Sequence, residues 1–190
     1  MLTSRCNRKC EYCITRNIRV DSKGIEYAQI RRLYSDLSLE HKEIMLTGGE
    51  PTLAPFLSIA VVTAKDFFEK VFITTQNPIL LKPKHLGGMF NAITFSMHDK
   101  AALKEKVENG ATVYASILDK FYKQDLPEKL KAQGFSGLTI NEEQREGKEF
   151  TQKLPEIEGF SIKVNRKGKC MDETIILPDL RVITDFREFL

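Results

Sequence analysis

The feature that most constrains the fold is the regular alternation of short apolar runs with amphipathic stretches along most of the chain. Apolar runs that end at glycine or at polar residues are typical of buried strands. We predict six strands, at residues 2–4, 43–47, 71–75, 92–96, 112–117 and 138–140. Strands that alternate with helices imply a parallel sheet and therefore an α/β fold.

The stretches between these runs carry apolar residues at helical spacing among charged ones. They predict helices at residues 25–39, 55–69, 100–109 and 118–133, and at most a short helix at 84–90. Pro55 is tolerated because it lies in the first turn of its helix, whereas Pro127 lies inside the last predicted helix and fits poorly there.

The chain is too short for a closed barrel. Eight strand–helix units usually need about 250 residues, and this chain has 190. We therefore expect a partial, open (βα)6-type barrel in a single domain, 1–190, with its core at about 1–140. The tail, 141–190, would cover an edge or the active-site face: residues 160–164 form a half-exposed strand outside the alternation, and residues 174–177 and 180–183 form an antiparallel hairpin.

Three cysteines stand close together near the start of the chain, Cys6, Cys10 and Cys13, at the spacing C-x3-C-x2-C. Three thiolates from one short loop can bind three corners of a small iron–sulfur cube, because soft sulfur ligands suit such clusters. The fourth iron would have no protein ligand nearby and would be open to chemistry. Tyr12 offers an aromatic face beside the cluster, where adenine could stack.

Other interpretations of these cysteines carry less weight. A disulfide framework needs an oxidising compartment, but the N-terminus shows no signal-peptide pattern, so we expect a reducing, cytoplasmic location. Ordinary core cysteines would rarely occur three times in so polar a stretch. Structural zinc stays an alternative, although its fourth ligand would have to be Cys170, His41, His85 or His98, none of which belongs to a second ligand pair.

A second motif, Leu46-Thr47-Gly48-Gly49-Glu50-Pro51, follows the second predicted strand. Its glycines let the backbone turn sharply and approach a ligand closely, and its proline stiffens the loop. Alone, a glycine pair after a strand is typical of an ordinary turn. This one would lie on the same face as the cysteine loop, because parallel strands release their following loops at one edge, where barrel active sites are built.

The two motifs together resemble the cluster loop and the GGEP motif of the radical S-adenosylmethionine (radical SAM) enzymes, including the aromatic residue before the third cysteine. The resemblance covers about residues 2–140 in strand order and implies that the three cysteines bind a [4Fe–4S] cluster. It also implies that S-adenosylmethionine (SAM) is bound by residues that follow the strands: Tyr12, Gly48, Gly49, Glu50, Pro51, Thr75, Gln76 and Ser96.

The resemblance further implies the reaction. A one-electron donor such as flavodoxin or ferredoxin would reduce the cluster, and SAM would be cleaved to methionine and a 5′-deoxyadenosyl radical that abstracts hydrogen from a substrate. The substrate stays open: a small molecule, a peptide or protein, or RNA. Two alternatives also stay open, namely a glycyl-radical-type activating enzyme that acts on a protein, and a non-catalytic metal-binding interaction module.

Net charge and the distribution of apolar residues limit the kinds of partner that we expect. The net charge of +3 at pH 7 gives no strong electrostatic footprint for nucleic acid, and without a long apolar run we expect no membrane span. We interpret Cys170, the fourth cysteine, as a lone free thiol. His98 fits an exposed loop position as well as it fits proton transfer or substrate binding.

Overall fold

The computed structural model describes residues 2–10, 13, 25–83, 85–99, 101–142, 150–165, 175–176 and 182–183. The chain divides into two compact units. The first comprises Met1–Thr75, Met89–Asn91 and Cys170–Leu190, and the second comprises Gln76–Gly88 and Ala92–Lys169.

The first unit contains two parallel strands, β1 (Glu43–Leu46) and β2 (Lys70–Thr75), and two helices, α1 (Tyr27–Ser38) and α2 (Leu57–Phe67). Helix α2 connects the two strands, as a parallel pair requires. Helix α1 buries Ile30 and Tyr34, which stand four residues apart on one face. The Tyr34 ring meets the Phe68 ring edge to face, with 5.6 Å between the centroids, so α1 packs against the end of α2.

The second unit contains four strands, β3 (Ala92–Met97), β4 (Val113–Leu118), β5 (Gly137–Asn141) and β6 (Ser161–Asn165), each parallel to the next. One face of these strands is apolar and buried, because alternate side chains of a strand point to the same side. Phe95, Ile117 and Ile140 lie on this face. Helix α3 (Leu126–Ala132) also belongs to this unit and buries Leu130.

Among the described residues, the strands of each unit run parallel and follow one another in chain order, β1 beside β2 in the first unit and β3 to β6 in the second. The predicted α/β fold with a parallel sheet is therefore confirmed. Two further short strands, β7 (Ile175–Ile176) and β8 (Val182–Ile183), pair antiparallel with each other. The predicted turn between them lies in residues 177–181, outside the described residues, so the hairpin as a whole stays a prediction.

The strands differ from the prediction at both ends of the series. Residues 2–4 are not a regular strand, although their backbone is paired as described below. The prediction that residues 160–164 depart from the alternation is wrong, because Ser161–Asn165 is the last parallel strand and lies in register with β5. Its alternating polarity arises from a half-exposed sheet face.

Two predicted helices are shorter in the structure. The described part of residues 100–109 holds only a 3-10 turn, Ala102–Lys104, because the next amides take distant partners: Val107 N–H donates to the Gln133 carbonyl and Glu108 N–H to the Leu81 carbonyl. Helix α3 begins at Leu126 rather than at residue 118, which leaves Pro127 in the first turn, where proline is tolerated.

Candidate cofactor site

The segment that leads into the cysteine loop is bonded to the glycine loop through the backbone. Leu2 N–H donates to the Thr47 carbonyl at 2.6 Å, Gly49 N–H to the Thr3 carbonyl at 2.7 Å, and Glu50 N–H to the Arg5 carbonyl at 2.8 Å. These three bonds form a short, irregular ladder between two segments that run in the same direction, residues 2–5 and 47–50. The segment that leads into the cysteine loop therefore lies beside the glycine loop in the first unit, although 45 positions separate Leu2 from Thr47.

Close backbone approach explains the two glycines. A Cβ added to Gly48 would lie 2.6 Å from the Thr3 carbonyl oxygen. A Cβ added to Gly49 would collide with the Arg5 carbonyl and lie 2.8 Å from the Ser4 carbonyl oxygen. These positions must lack a side chain because the segment before Cys6 fills the space. The close approach predicted from the sequence was to a ligand, whereas the approach seen here is to the backbone of residues 3–5.

Glu50 is a buried carboxylate, only 1% exposed, at the end of the same ladder. Its Oε1 accepts hydrogen bonds from the Thr52 amide at 3.1 Å, the Thr52 hydroxyl at 2.7 Å and the Thr75 hydroxyl at 2.6 Å. Thr75 is the last residue of β2 and is itself 2% exposed. The side chain of Glu50 thus joins the loop after β1 to the end of β2, and buried Pro51 opens a 3-10 turn beside it.

The three cysteines lie in exposed or half-exposed positions, and none of them forms a disulfide. Arg8 N–H lies 3.4 Å from Cys6 Sγ, and Cys13 N–H donates to the Cys10 carbonyl at 3.2 Å, which turns the chain between the second and third cysteine. Within the described part of the chain, no three His, Cys, Asp or Glu side chains are gathered as a metal-binding group. The donor set itself, three thiols of one accessible loop, fits an iron–sulfur cluster.

Three other residues are predicted to contact the cofactor: Tyr12, Gln76 and Ser96. Gln76 and Ser96 belong to the second unit, where Ser96 is half-buried on β3 opposite Ser116 of β4. Tyr12, like Cys170, lies outside the described residues, so its place beside adenine stays a prediction. The structure therefore brings together the segment before Cys6, Gly48 to Pro51 and Thr75.

Sequence reasoning missed several polar residues that the structure makes prominent. The Thr52 hydroxyl donates a hydrogen bond to the Glu50 carboxylate. The Thr3 carbonyl accepts a hydrogen bond from Gly49 N–H, and Thr3 is only 1% exposed. On the second unit, a row of polar side chains crosses β3 to β6; the sequence predicted a role for Ser96 within it but not the row itself. The signal that could have found this row is the period-two recurrence of hydroxyl and amide residues within otherwise apolar strands: Thr94 and Ser96, Tyr114 and Ser116, Thr139 and Asn141.

Comparisons with known proteins identify the family. Residues 1–108 match the family model described as Radical SAM superfamily. The chain is 37% identical over 98 residues to the GTP 3′,8-cyclase of Stenotrophomonas maltophilia (strain R551-3), and 31% identical over 103 residues to that of Staphylococcus aureus (strain JH9). Each match covers 48% of this chain and 29% of the relative, so the chain corresponds to less than a third of these proteins.

The family match extends over more than half of the chain and contains both loops of the candidate site and the ladder that joins them. No helix of the described residues is long and apolar enough to cross a membrane. The chain belongs to the radical SAM superfamily, a group of enzymes that use a [4Fe–4S] cluster and S-adenosylmethionine.

Proposed function

We propose that this chain is a radical SAM enzyme in which Cys6, Cys10 and Cys13 bind the cluster and the loop Gly48–Pro51 binds SAM. The observation that supports this assignment best is the backbone ladder between residues 2–5 and 47–50. In a site of this type one ligand contacts the cluster and the glycine loop at once, so the two loops have to be held in a fixed relation. Three hydrogen bonds of the backbone provide that relation here.

The residues around the loops have distinct tasks in this proposal. Gly48 and Gly49 permit the close approach of the two segments, and Pro51 stiffens the turn that follows. Thr52 and Thr75 hold the Glu50 carboxylate, and through it the shape of the loop. We assign Thr75 to the positioning of Glu50, in addition to the ligand contact predicted from the sequence, because its hydroxyl is buried against that carboxylate.

The cluster and SAM, when bound, supply a 5′-deoxyadenosyl radical that abstracts a hydrogen atom from the substrate. The protein binds and orients both partners and keeps water away from them. An exposed Cys6 suits the transfer of an electron from an external donor such as flavodoxin or ferredoxin, because short distance to the surface favours such a step. Tyr12, Gln76 and Ser96 remain our candidates for the nucleoside and carboxylate ends of SAM.

The decisive test of this function is SAM cleavage by protein reconstituted with iron and sulfide under anaerobic conditions. After reduction, we expect 5′-deoxyadenosine and methionine in equal amounts, together with the visible absorption of a [4Fe–4S] cluster. A protein that is fully loaded with cluster but forms neither product would support the non-catalytic metal-binding module instead. A protein that binds zinc and no cluster would support the interpretation of the three cysteines as a structural zinc site.

GTP is the first substrate to test, because the curated relatives are named GTP 3′,8-cyclase. If GTP is the substrate, it should increase the yield of 5′-deoxyadenosine and be consumed in the same reaction. If GTP has no effect, a cell extract that is searched for consumed small molecules and for protein-centred radicals by electron paramagnetic resonance separates a small-molecule enzyme from an activating enzyme.

A further inference from the structure

The second unit carries a cavity on the polar face of its strands. The cavity measures about 140 Å³ and is lined by Thr94, Tyr114, Leu138, Thr139, Ser161 and Lys163. One water molecule needs roughly 10–15 Å³ by the same measure, so the cavity has room for a small polar group and several waters. All four strands of the unit contribute to it.

Strand register brings these residues together. Thr94 lies opposite Tyr114, and Thr139 lies opposite Lys163, so the four side chains stand on one face of the sheet. Gly137 is the neighbour of Tyr114 on β5. A Cβ at Gly137 would lie 3.0 Å from Cδ1 of Tyr114 and would collide with the Ser161 side chain, so the Tyr114 ring and Ser161 use the space that this glycine leaves. The glycine thereby shapes the cavity.

Lys163 is the one charged residue in strands β3 to β6, which contain no Asp or Glu. Its side chain is exposed, and none of the ion pairs between described residues includes it. Thr94, Tyr114 and Thr139, which each carry a hydroxyl group, line the same cavity. A lone cation among hydroxyl donors is complementary to an anion, because every one of these groups can donate to an anionic oxygen.

The polar face continues beyond the cavity toward the carboxyl ends of the strands. Asn141 Nδ2 donates to Ser116 Oγ at 2.9 Å, and Asn165 Nδ2 donates to Asn141 Oδ1 at 2.9 Å. These bonds fix the orientation of both amides across β4, β5 and β6. A ligand anchored at Lys163 would therefore meet an ordered row of polar groups at the edge where barrel enzymes place their chemistry.

We propose that this face binds the carboxylate or phosphate group of the substrate, with Lys163 paired to the anionic charge and the surrounding hydroxyls donating hydrogen bonds. The proposal rests on the proposed function, since it assigns an anionic substrate to the radical reaction. Strand β6 is decisive, because it carries the cation and the second amide of the row.

Anion binding tests the proposal. Pyrophosphate and citrate serve as the phosphate and carboxylate probes, titrated by calorimetry into reconstituted, oxidised protein. We compare Lys163→Met with Lys163→Arg and with the control Lys106→Met, which removes another exposed lysine of the same unit. We expect at least one probe to bind with an affinity that falls about tenfold or more in Lys163→Met, is largely kept in Lys163→Arg and is unchanged in Lys106→Met. Circular dichroism confirms that the variants are folded.

Equal affinity in Lys163→Met and Lys106→Met, or no binding of either probe to the wild type, would overturn the proposal. SAM is titrated in parallel: a loss of SAM affinity in Lys163→Met without a loss of anion affinity would assign the face to the cofactor and also overturn it. SAM cleavage by the wild type is measured separately. If the wild type cleaves SAM but anion binding does not depend on Lys163, the proposed function stands and the anion site is wrong. If anion binding depends on Lys163 but SAM is not cleaved, the anion site stands and the radical SAM function is wrong.

Discussion

The hydroxyl of Thr75 donates a 2.6 Å hydrogen bond to Oε1 of Glu50, and both residues are almost completely buried. This bond connects the last residue of β2 to the loop that follows β1. The same loop is bonded to the segment before the cysteines. A substitution at Thr75 should therefore alter the candidate cofactor site, although the Thr75 side chain is buried.

Replacing Thr75 by Val keeps the shape of the side chain and removes the donor to Glu50. We expect the free energy of unfolding to fall by about 1–3 kcal/mol, because a buried carboxylate loses a hydrogen-bond partner, and SAM affinity to fall with it. Urea unfolding and calorimetry measure the two effects.

Two further variants, one at Thr75 and one at its neighbour Thr74, show whether the hydroxyl of Thr75 is the group that stabilises the loop. Thr75→Ser should restore most of the stability because it restores the donor. Thr74→Val should have a smaller effect, since Thr74 is half-exposed and its hydroxyl donates to the weakly accepting Met45 sulfur, at 3.4 Å. If Thr75→Val and Thr74→Val were equally stable, the bond to Glu50 would not support the loop.

Gly49→Ala should disturb the cysteine loop as well as the glycine loop, because its Cβ would collide with the Arg5 carbonyl. We expect lower iron content after reconstitution together with weaker SAM binding. Gly88→Ala is the control, since no atom of the described residues, apart from the chain neighbours of this glycine, lies within 4 Å of a Cβ at that position. Normal iron content in Gly49→Ala with weakened SAM binding would instead favour the interpretation that the glycine makes room for the ligand.

The sequence predicted the parallel α/β architecture and both loops of the site, because hydrophobic periodicity and residue spacing are local signals. It did not predict the reason for Gly48 and Gly49, since their neighbours Thr3, Ser4 and Arg5 are distant in the chain and come close only in the fold. The helix predicted before Gly110 also failed for a tertiary reason, as Val107 and Glu108 donate to backbone carbonyls of distant residues.

Strand β6 shows a second limit. Its alternating pattern predicted a half-exposed strand outside the parallel series, because periodicity indicates which residues are half-exposed but not which strand lies next to them. The register with β5 places Lys163 opposite Thr139 and so creates the polar face. The residue pattern of one strand alone does not predict which residue of the neighbouring strand lies opposite.

Tyr122 offers a test of the second unit. Its hydroxyl is buried without a hydrogen-bond partner among the described residues, and burial raises the pKa of the phenol. Tyr122→Phe should leave the protein equally stable or slightly more stable at pH 7, because it removes an unsatisfied polar group and keeps the edge-to-face contact with Phe150, 5.1 Å between centroids.

The pH dependence at Tyr122 has a defined sign. Because the phenol pKa is higher in the folded protein than its ordinary value of about 10, the wild type should lose stability as the pH rises from that value toward the folded pKa. Tyr122→Phe should lack this part of the alkaline loss. Denaturation curves at several pH values measure it, and an identical loss in both proteins would show that Tyr122 does not titrate differently on folding.

The measurement that tests the central claim most directly is the yield of 5′-deoxyadenosine from SAM, with iron content measured on the same samples. Wild type, Cys6→Ala, Cys10→Ala, Cys13→Ala and the control Cys170→Ala are each reconstituted and reduced anaerobically. We predict that the wild type and Cys170→Ala contain the cluster and form the product, and that each of the other three variants loses both, because a three-ligand site that loses one ligand cannot hold the cube. Full activity in any one of those three variants, or loss of the cluster only in Cys170→Ala, would contradict the account.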